Sequence, residues 1–233
     1  MIISHDRQTL FIGVPKNGSQ TARAVLGQVG VDLVGEMGRH PTVPEAIRLA
    51  EARFPGKTIA PTTIYAFWRD PVERFCSAVE FHKRCLPNSF AQLFPQRFSG
   101  TKPHPRWFET DLRAIGEELH LLINSIGPAE ILAALPPPSI AGVSSQSPGG
   151  TLSFYRPQSK WLEYPGITVL PFSNYEQCIR NLVSRFGGAE HLLDLPHLNA
   201  TQAEPSQLTP DQRAMVQTFY EPDMVYEARV IAL

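Results

Sequence analysis

The sequence predicts an α/β protein, one domain over residues 1–233 with a mostly parallel central sheet. Three observations carry this. Thr62-Thr-Ile-Tyr-Ala-Phe-Trp68 is an unbroken β-branched and aromatic run of the kind found where both faces of a parallel sheet are covered. Two strand–turn–helix junctions stand out, one after Val14 and one after Trp68. At 233 residues, 42% of them hydrophobic, the chain is long enough for one sizeable core.

Taken in order, Thr9 to Val14 reads as a short buried strand, Pro15 to Gly18 as a tight turn, and Ser19 or Gln20 as the start of a helix. Ala22, Val25, Leu26 and Val29 recur at helical spacing, and Gly30 is placed to cap that helix. The turn suits an anion. The first N–H groups of a helix lack internal partners and sit at the positive end of its dipole, Gly18 allows close backbone approach, and Lys16 adds a mobile charge. A nucleoside-triphosphate loop would need its lysine after the second glycine and a hydroxyl after that lysine. Gly13 and Gly18 have that separation, but the lysine lies inside the loop. The alternative is a plain turn between strand and helix.

Val31 to Val34 alternates like a second strand and leads to Gly38, Arg39 and His40. A helix is expected from Thr42 or Val43 to Phe54, with Pro44 near its start. After the strand ending at Trp68, Asp70 looks like an N-cap, Pro71 takes the first helical position, and Glu73 sits where a capping box puts its carboxylate. Arg69 falls at the strand's carboxyl end, where open α/β sheets bind ligands. Arg74 and Ser77 share a helix face.

Residues 81–108 contain no acidic side chain but carry Lys83, Arg84, Arg97, Lys102 and Arg106, and read as a surface excursion. Such a segment is either a solvated basic loop or a wall for an anionic ligand. Helices are expected at Leu112 to Ile126 and Pro128 to Leu135. A second excursion is expected over 136–160, a buried strand at Gly166 to Pro171, and a helix at Tyr175 to Phe186. Two helices, Pro210 to Tyr220 and Pro222 to Ala232, follow.

A formal net charge of −1 gives no global attraction to nucleic acid or membrane. Cys76, Cys85 and Cys178 have no C-x-x-C spacing and read as reduced thiols. No apolar run approaches the roughly 20 residues of a membrane span, and a strand comes too early for a signal peptide, so a cytoplasmic protein is expected.

Pro15-Lys-Asn-Gly18 and Arg69-Asp-Pro-Val-Glu-Arg-Phe-Cys-Ser77 together resemble two motifs of the sulfotransferases that use 3′-phosphoadenosine 5′-phosphosulfate (PAPS). The resemblance is closest to the carbohydrate branch, with its heparan, dermatan and chondroitin enzymes and their bacterial relatives. In that family a "Pro-Lys-x-Gly" loop takes the 5′-phosphosulfate and an "Arg-Asp-Pro-x-x-Arg-x-x-Ser" segment the 3′-phosphate. Weaker echoes are His40, Arg156 to Gln158, Glu176, His197 to Asn199, and Tyr220 to Asp223. The chain departs from the family at Gln20, where a small hydroxyl residue is usual, and it lacks the membrane anchor and paired cysteines of Golgi members.

The resemblance implies a P-loop-like, three-layer α/β/α fold whose two excursions shape an acceptor site. It implies PAPS as donor, adenosine 3′,5′-bisphosphate as product, no metal, and a hydroxyl acceptor, first of all a saccharide, then a small alcohol or phenol, then peptide tyrosine. Lys16 would neutralise the leaving oxygen, and Asn17, Gly18, Ser19, Gln20 and Thr21 would line the phosphosulfate. Arg69 and Ser77 would hold the 3′-phosphate, with Asn199 closing over it. His40 is the expected base, with a helix-capping role as its alternative and His82 as a second candidate. Arg74 is expected to brace the turn through Asp70 or Glu73, and Gln158, Ser159 and Lys160 to reach acceptor or nucleotide. The rival functions are a metal-dependent kinase or nucleoside triphosphatase and a non-catalytic nucleotide-binding module.

Overall fold

Short runs of alternating apolar side chains build a sheet whose two faces bury different residues. In the computed structural model, which describes residues 1–34, 40–85, 94, 96–97, 117–135, 154–188 and 208–230, these runs are β1 (Ile2–Ser4), β2 (Thr9–Ile12), β3 (Gly30–Asp32), β4 (Thr63–Trp68) and β5 (Ile167–Pro171). The described residues form a five-stranded sheet in the order β3-β1-β2-β4-β5. β1 pairs antiparallel with both β2 and β3, whereas β2, β4 and β5 pair in parallel. Only β1 is therefore reversed, and the other four strands point the same way. The protein is α/β with a mixed, mostly parallel sheet.

Register brings the strand ends together. Ile12 of β2 lies opposite Ala66, and Trp68 of β4 lies opposite Pro171. The turns that follow β2, β4 and β5 thus leave from one edge.

The helices are α1 (Ser19–Leu26), α2 (Val43–Arg53), α3 (Pro71–Cys85), α4 (Glu117–Ser125), α5 (Pro128–Ala134), α6 (Ser159–Leu162), α7 (Tyr175–Arg185), α8 (Pro210–Phe219) and α9 (Glu221–Val230). Contacts among the Cα atoms fall into two compact units. The first comprises 1–70, 157–200 and 225–233, and the second 71–156 and 201–224. The whole sheet belongs to the first. There Ile3, Leu10, Ile12, Ile64, Ala66 and Trp68 pack with α2 and α6, while the alternate residues Ile2, Phe11, Tyr65 and Phe67 pack with α1 and α7. In the second unit, Val72, Phe75, Val79, Ile123, Ile131, Val216 and Tyr220 join α3, α4, α5 and α8 in one cluster.

Several expectations need correction. α1 stops at Leu26, and Gly30 opens β3 instead of capping the helix: a Cβ there would meet Ile2 Cγ2 at 2.7 Å. β1 carries too few residues for any periodicity to announce it. Among the described residues β5 is the last strand of the sheet, with side chains half-buried or exposed where burial was expected. Residues 81–85 continue α3 and residues 159–160 open α6, where excursions were expected. Most of both segments lies outside the described residues. Among the described residues, neither buried Cys76 nor half-buried Cys178 is in a disulfide. Among the described residues no helix is long and apolar enough to cross a membrane.

Candidate functional site

The turn after β2 is held in an uncommon shape. Lys16 has φ 67°, a left-handed value that costs an ordinary residue about 1–2 kcal/mol, and Gly18 follows at φ 70°. The first helical bond of α1 runs from Ala22 N–H to Gly18 O at 3.0 Å. The N–H groups of Ser19, Gln20 and Thr21 therefore stand ahead of the helical ladder, as an anion cradle requires.

Three sets of contacts tie this turn to the elements around it. Arg69 Nη1 donates to Lys16 O at 3.1 Å, and its guanidinium lies 4.7 Å from the centre of the Phe172 ring. Asn17, 1% exposed, donates through Nδ2 to Phe67 O at 2.6 Å and to Gln158 Oε1 at 2.8 Å. Tyr175, the first residue of α7, donates its hydroxyl to Gly18 O at 2.6 Å. Its ring stands where a Cβ on Gly18 would come within 2.5 Å. Burial pushes the Tyr175 phenol well up, against hydrogen bonds at Ala22 and Thr21 that work the other way.

His40 reaches the same turn. The reversed β1 makes β3 parallel to β2, so the chain leaving β3 arrives at the edge where the turn lies. His40 Nδ1 is 2.6 Å from Gly13 O. A carbonyl only accepts, so Nδ1 carries the proton and the neutral ring keeps Nε2 as its basic nitrogen. Trp161 Nε1 donates to His40 O at 2.7 Å. The capping alternative is not what is seen. Thr42 is the N-cap of α2, and the Glu45 carboxylate accepts from the Thr42 N–H at 2.8 Å and hydroxyl at 2.9 Å.

The expected site residues separate as follows. Lys16, Asn17, Gly18, Ser19, Gln20, Thr21, His40 and Arg69 all lie in the first unit. Gln20 is exposed, while Ser19 and Thr21 are buried, and Thr21 is hydrogen-bonded to Tyr175. Gln158 is fully buried and bonded to protein groups, and the Lys160 amine pairs at 3.9 Å with Glu163. Ser77 is half-buried on α3 in the second unit, and the backbone of His82 lies on the same helix. Asn199 lies outside the described residues. Arg74 is fully buried, donates to Phe154 O at 3.2 Å and stands 5.9 Å from the centre of the Tyr220 ring, which ties it to the core of the second unit. Among the described residues no cluster of three His, Cys, Asp or Glu side chains could hold a metal ion.

Tyr175, Phe172 and Trp161 were not expected at the site. Each acts across more than a hundred residues of sequence, as in the Tyr175 bond to Gly18, and local spacing carries no signal of such contacts. No protein-family profile, curated protein or solved structure matches this chain.

Proposed function

We propose that this chain is a sulfotransferase moving a sulfuryl group from PAPS to an acceptor hydroxyl, in first place on a carbohydrate. The observation that carries the reading is the meeting of Lys16, Arg69 and His40 at one sheet edge. Arg69 bonds the Lys16 carbonyl, and His40 bonds the carbonyl of Gly13 at the root of the same turn. The reading also takes the first unit as a three-layer, P-loop-like α/β/α fold. The two apolar clusters on alternate sheet residues support that.

The residues present fit such a donor: a lysine, an arginine fork and the head of a helix offer positive charge and N–H donors to a ligand that is anionic at both ends. PAPS supplies an activated sulfuryl group on a bisphosphate leaving group. Lys16 Nζ neutralises charge developing on the leaving oxygen. The N–H groups at Gly18 to Thr21 hold the non-bridging sulfate oxygens. Arg69 contributes its charge to the 3′-phosphate, the feature that separates this nucleotide from plain adenosine phosphosulfate. His40 Nε2 takes the proton of the acceptor hydroxyl, with the ring held in orientation by Gly13 O. In-line transfer asks mainly for positioning and charge, and these groups supply both.

Titration calorimetry tests the nucleotide assignment. Adenosine 3′,5′-bisphosphate is expected to bind equally with and without EDTA, and ATP not to bind. Magnesium-dependent ATP binding with no affinity for the bisphosphate would replace this reading with a kinase or nucleoside triphosphatase.

A further inference from the structure

We infer that Gln158 is a positioning residue: a buried amide clasp that fixes Lys16 relative to Arg69, and so sets the spacing between the two anion-binding ends. This rests on the donor reading above.

The geometry is specific. Gln158 is 0% exposed, and both ends of its amide are bonded to protein groups of the first unit. Oε1 accepts from Asn17 Nδ2 at 2.8 Å and from the Arg69 N–H at 3.3 Å, while Nε2 donates to Arg69 O at 2.6 Å. Asn17 gives its other amide hydrogen to Phe67 O at 2.6 Å. The lysine turn is thereby fastened to the carboxyl end of β4 at Phe67 and at Arg69, on either side of Trp68. Lys16 precedes the clasped residue, and its carbonyl is itself held by Arg69 Nη1. A left-handed non-glycine residue relaxes unless its surroundings hold it, and these contacts hold it.

The chemistry explains the residue type. The position needs an acceptor for two N–H groups and a donor for one carbonyl in a single side chain. A carboxylate cannot donate to Arg69 O, and its charge would offset the positive field that Lys16 and Arg69 offer an anion. A lysine cannot accept. Methionine has nearly the same shape and supplies none of the three bonds, so it separates clasping from space-filling.

The test compares wild type with Q158M, Q158A, N17A and the N17A/Q158A double variant, all in the full chain. Amide hydrogen exchange over residues 13–18 reads the turn without any ligand, and calorimetry with adenosine 3′,5′-bisphosphate reads the site. Q158M and Q158A are expected to behave alike, exchanging the turn about tenfold faster while β1 and β2 keep their protection, and binding the bisphosphate about tenfold more weakly. The double variant is expected to lose less than the sum of the two single losses, because both singles remove the shared Asn17–Gln158 bond while each also removes bonds of its own. Wild-type exchange and affinity in Q158M, or losses that add in the double variant, overturn the clasp. If wild type itself binds no bisphosphate, the donor reading falls and exchange alone decides. Should the Gln158 variants not fold, N17A opens the same contact from the loop side, and unchanged exchange there overturns the proposal.

Discussion

The left-handed Lys16 and the tautomer of His40 each involve a backbone carbonyl. Arg69 holds the carbonyl of Lys16, and Gly13 O holds the proton on His40 Nδ1. The two side chains then have separable roles. H40A is expected to lower sulfuryl transfer by about 10²–10⁴ while leaving bisphosphate affinity within a few-fold, because a base acts on the acceptor. Activity within a few-fold of wild type would remove His40 from the mechanism. K16A is expected to lose about 10²–10³ in transfer rate and less in ground-state affinity, as a group serving charge that develops late should. Label transferred from the sulfate donor in single turnovers measures both. Lys16, His40 and Arg69 could be picked out in sequence as candidates because each follows an expected strand. Gln158 was legible only as a polar residue in a motif echo, since its three bonds join segments far apart in the chain.

At the scale of elements, α1 begins where Gly18 lets it. A Cβ at Gly18 would face both an unfavourable φ of 70° and the Tyr175 ring 2.5 Å away. G18A is therefore expected to destabilise the protein by more than the about 1–2 kcal/mol of a left-handed alanine. Y175A in the same chain should recover part of the steric share, read from urea midpoints. Equal stability of G18A and wild type would mean the turn is not held as described. β3 is anchored differently, by Arg23 Nη2 to Asp32 Oδ2 at 2.6 Å. Burial raises the Asp32 carboxyl, but the Arg23 hydrogen bond and the Val34 N–H outweigh it and leave the group below its ordinary value. A depressed carboxyl contributes stability above its unfolded pKa of about 4, and loses that contribution as pH falls through the folded value. Urea midpoints of wild type should thus fall more steeply below about pH 4 than those of D32N. Parallel curves would show that Asp32 is not a source of the acid sensitivity.

For the molecule as a whole, the alternation of strands and helices was readable because β4, α2, α7 and α8 carry strong patterns: an unbroken apolar strand, a proline in the first turn of α2 and α8, and a clear apolar stripe on α7. What sequence did not supply was the reversed strand and the pairing partners. The reversed β1, two isoleucines before a turn, decides that β3 runs parallel to β2, and hence that His40 arrives beside the lysine turn. Arg74 shows the same limit. Nothing in its motif position announced its full burial or its bond to Phe154 O, eighty residues on, in the second unit's core. The central claim, that Lys16, Arg69 and His40 form a sulfuryl-transfer site, is tested most directly by incubating the protein with sulfur-35-labelled PAPS and saccharide acceptors and analysing the products by mass spectrometry. The account predicts label on a saccharide hydroxyl with a mass gain of one SO3 group, formed about 10²–10³-fold more slowly in K16A. A protein that binds adenosine 3′,5′-bisphosphate but transfers label to no saccharide, alcohol, phenol or peptide would contradict it.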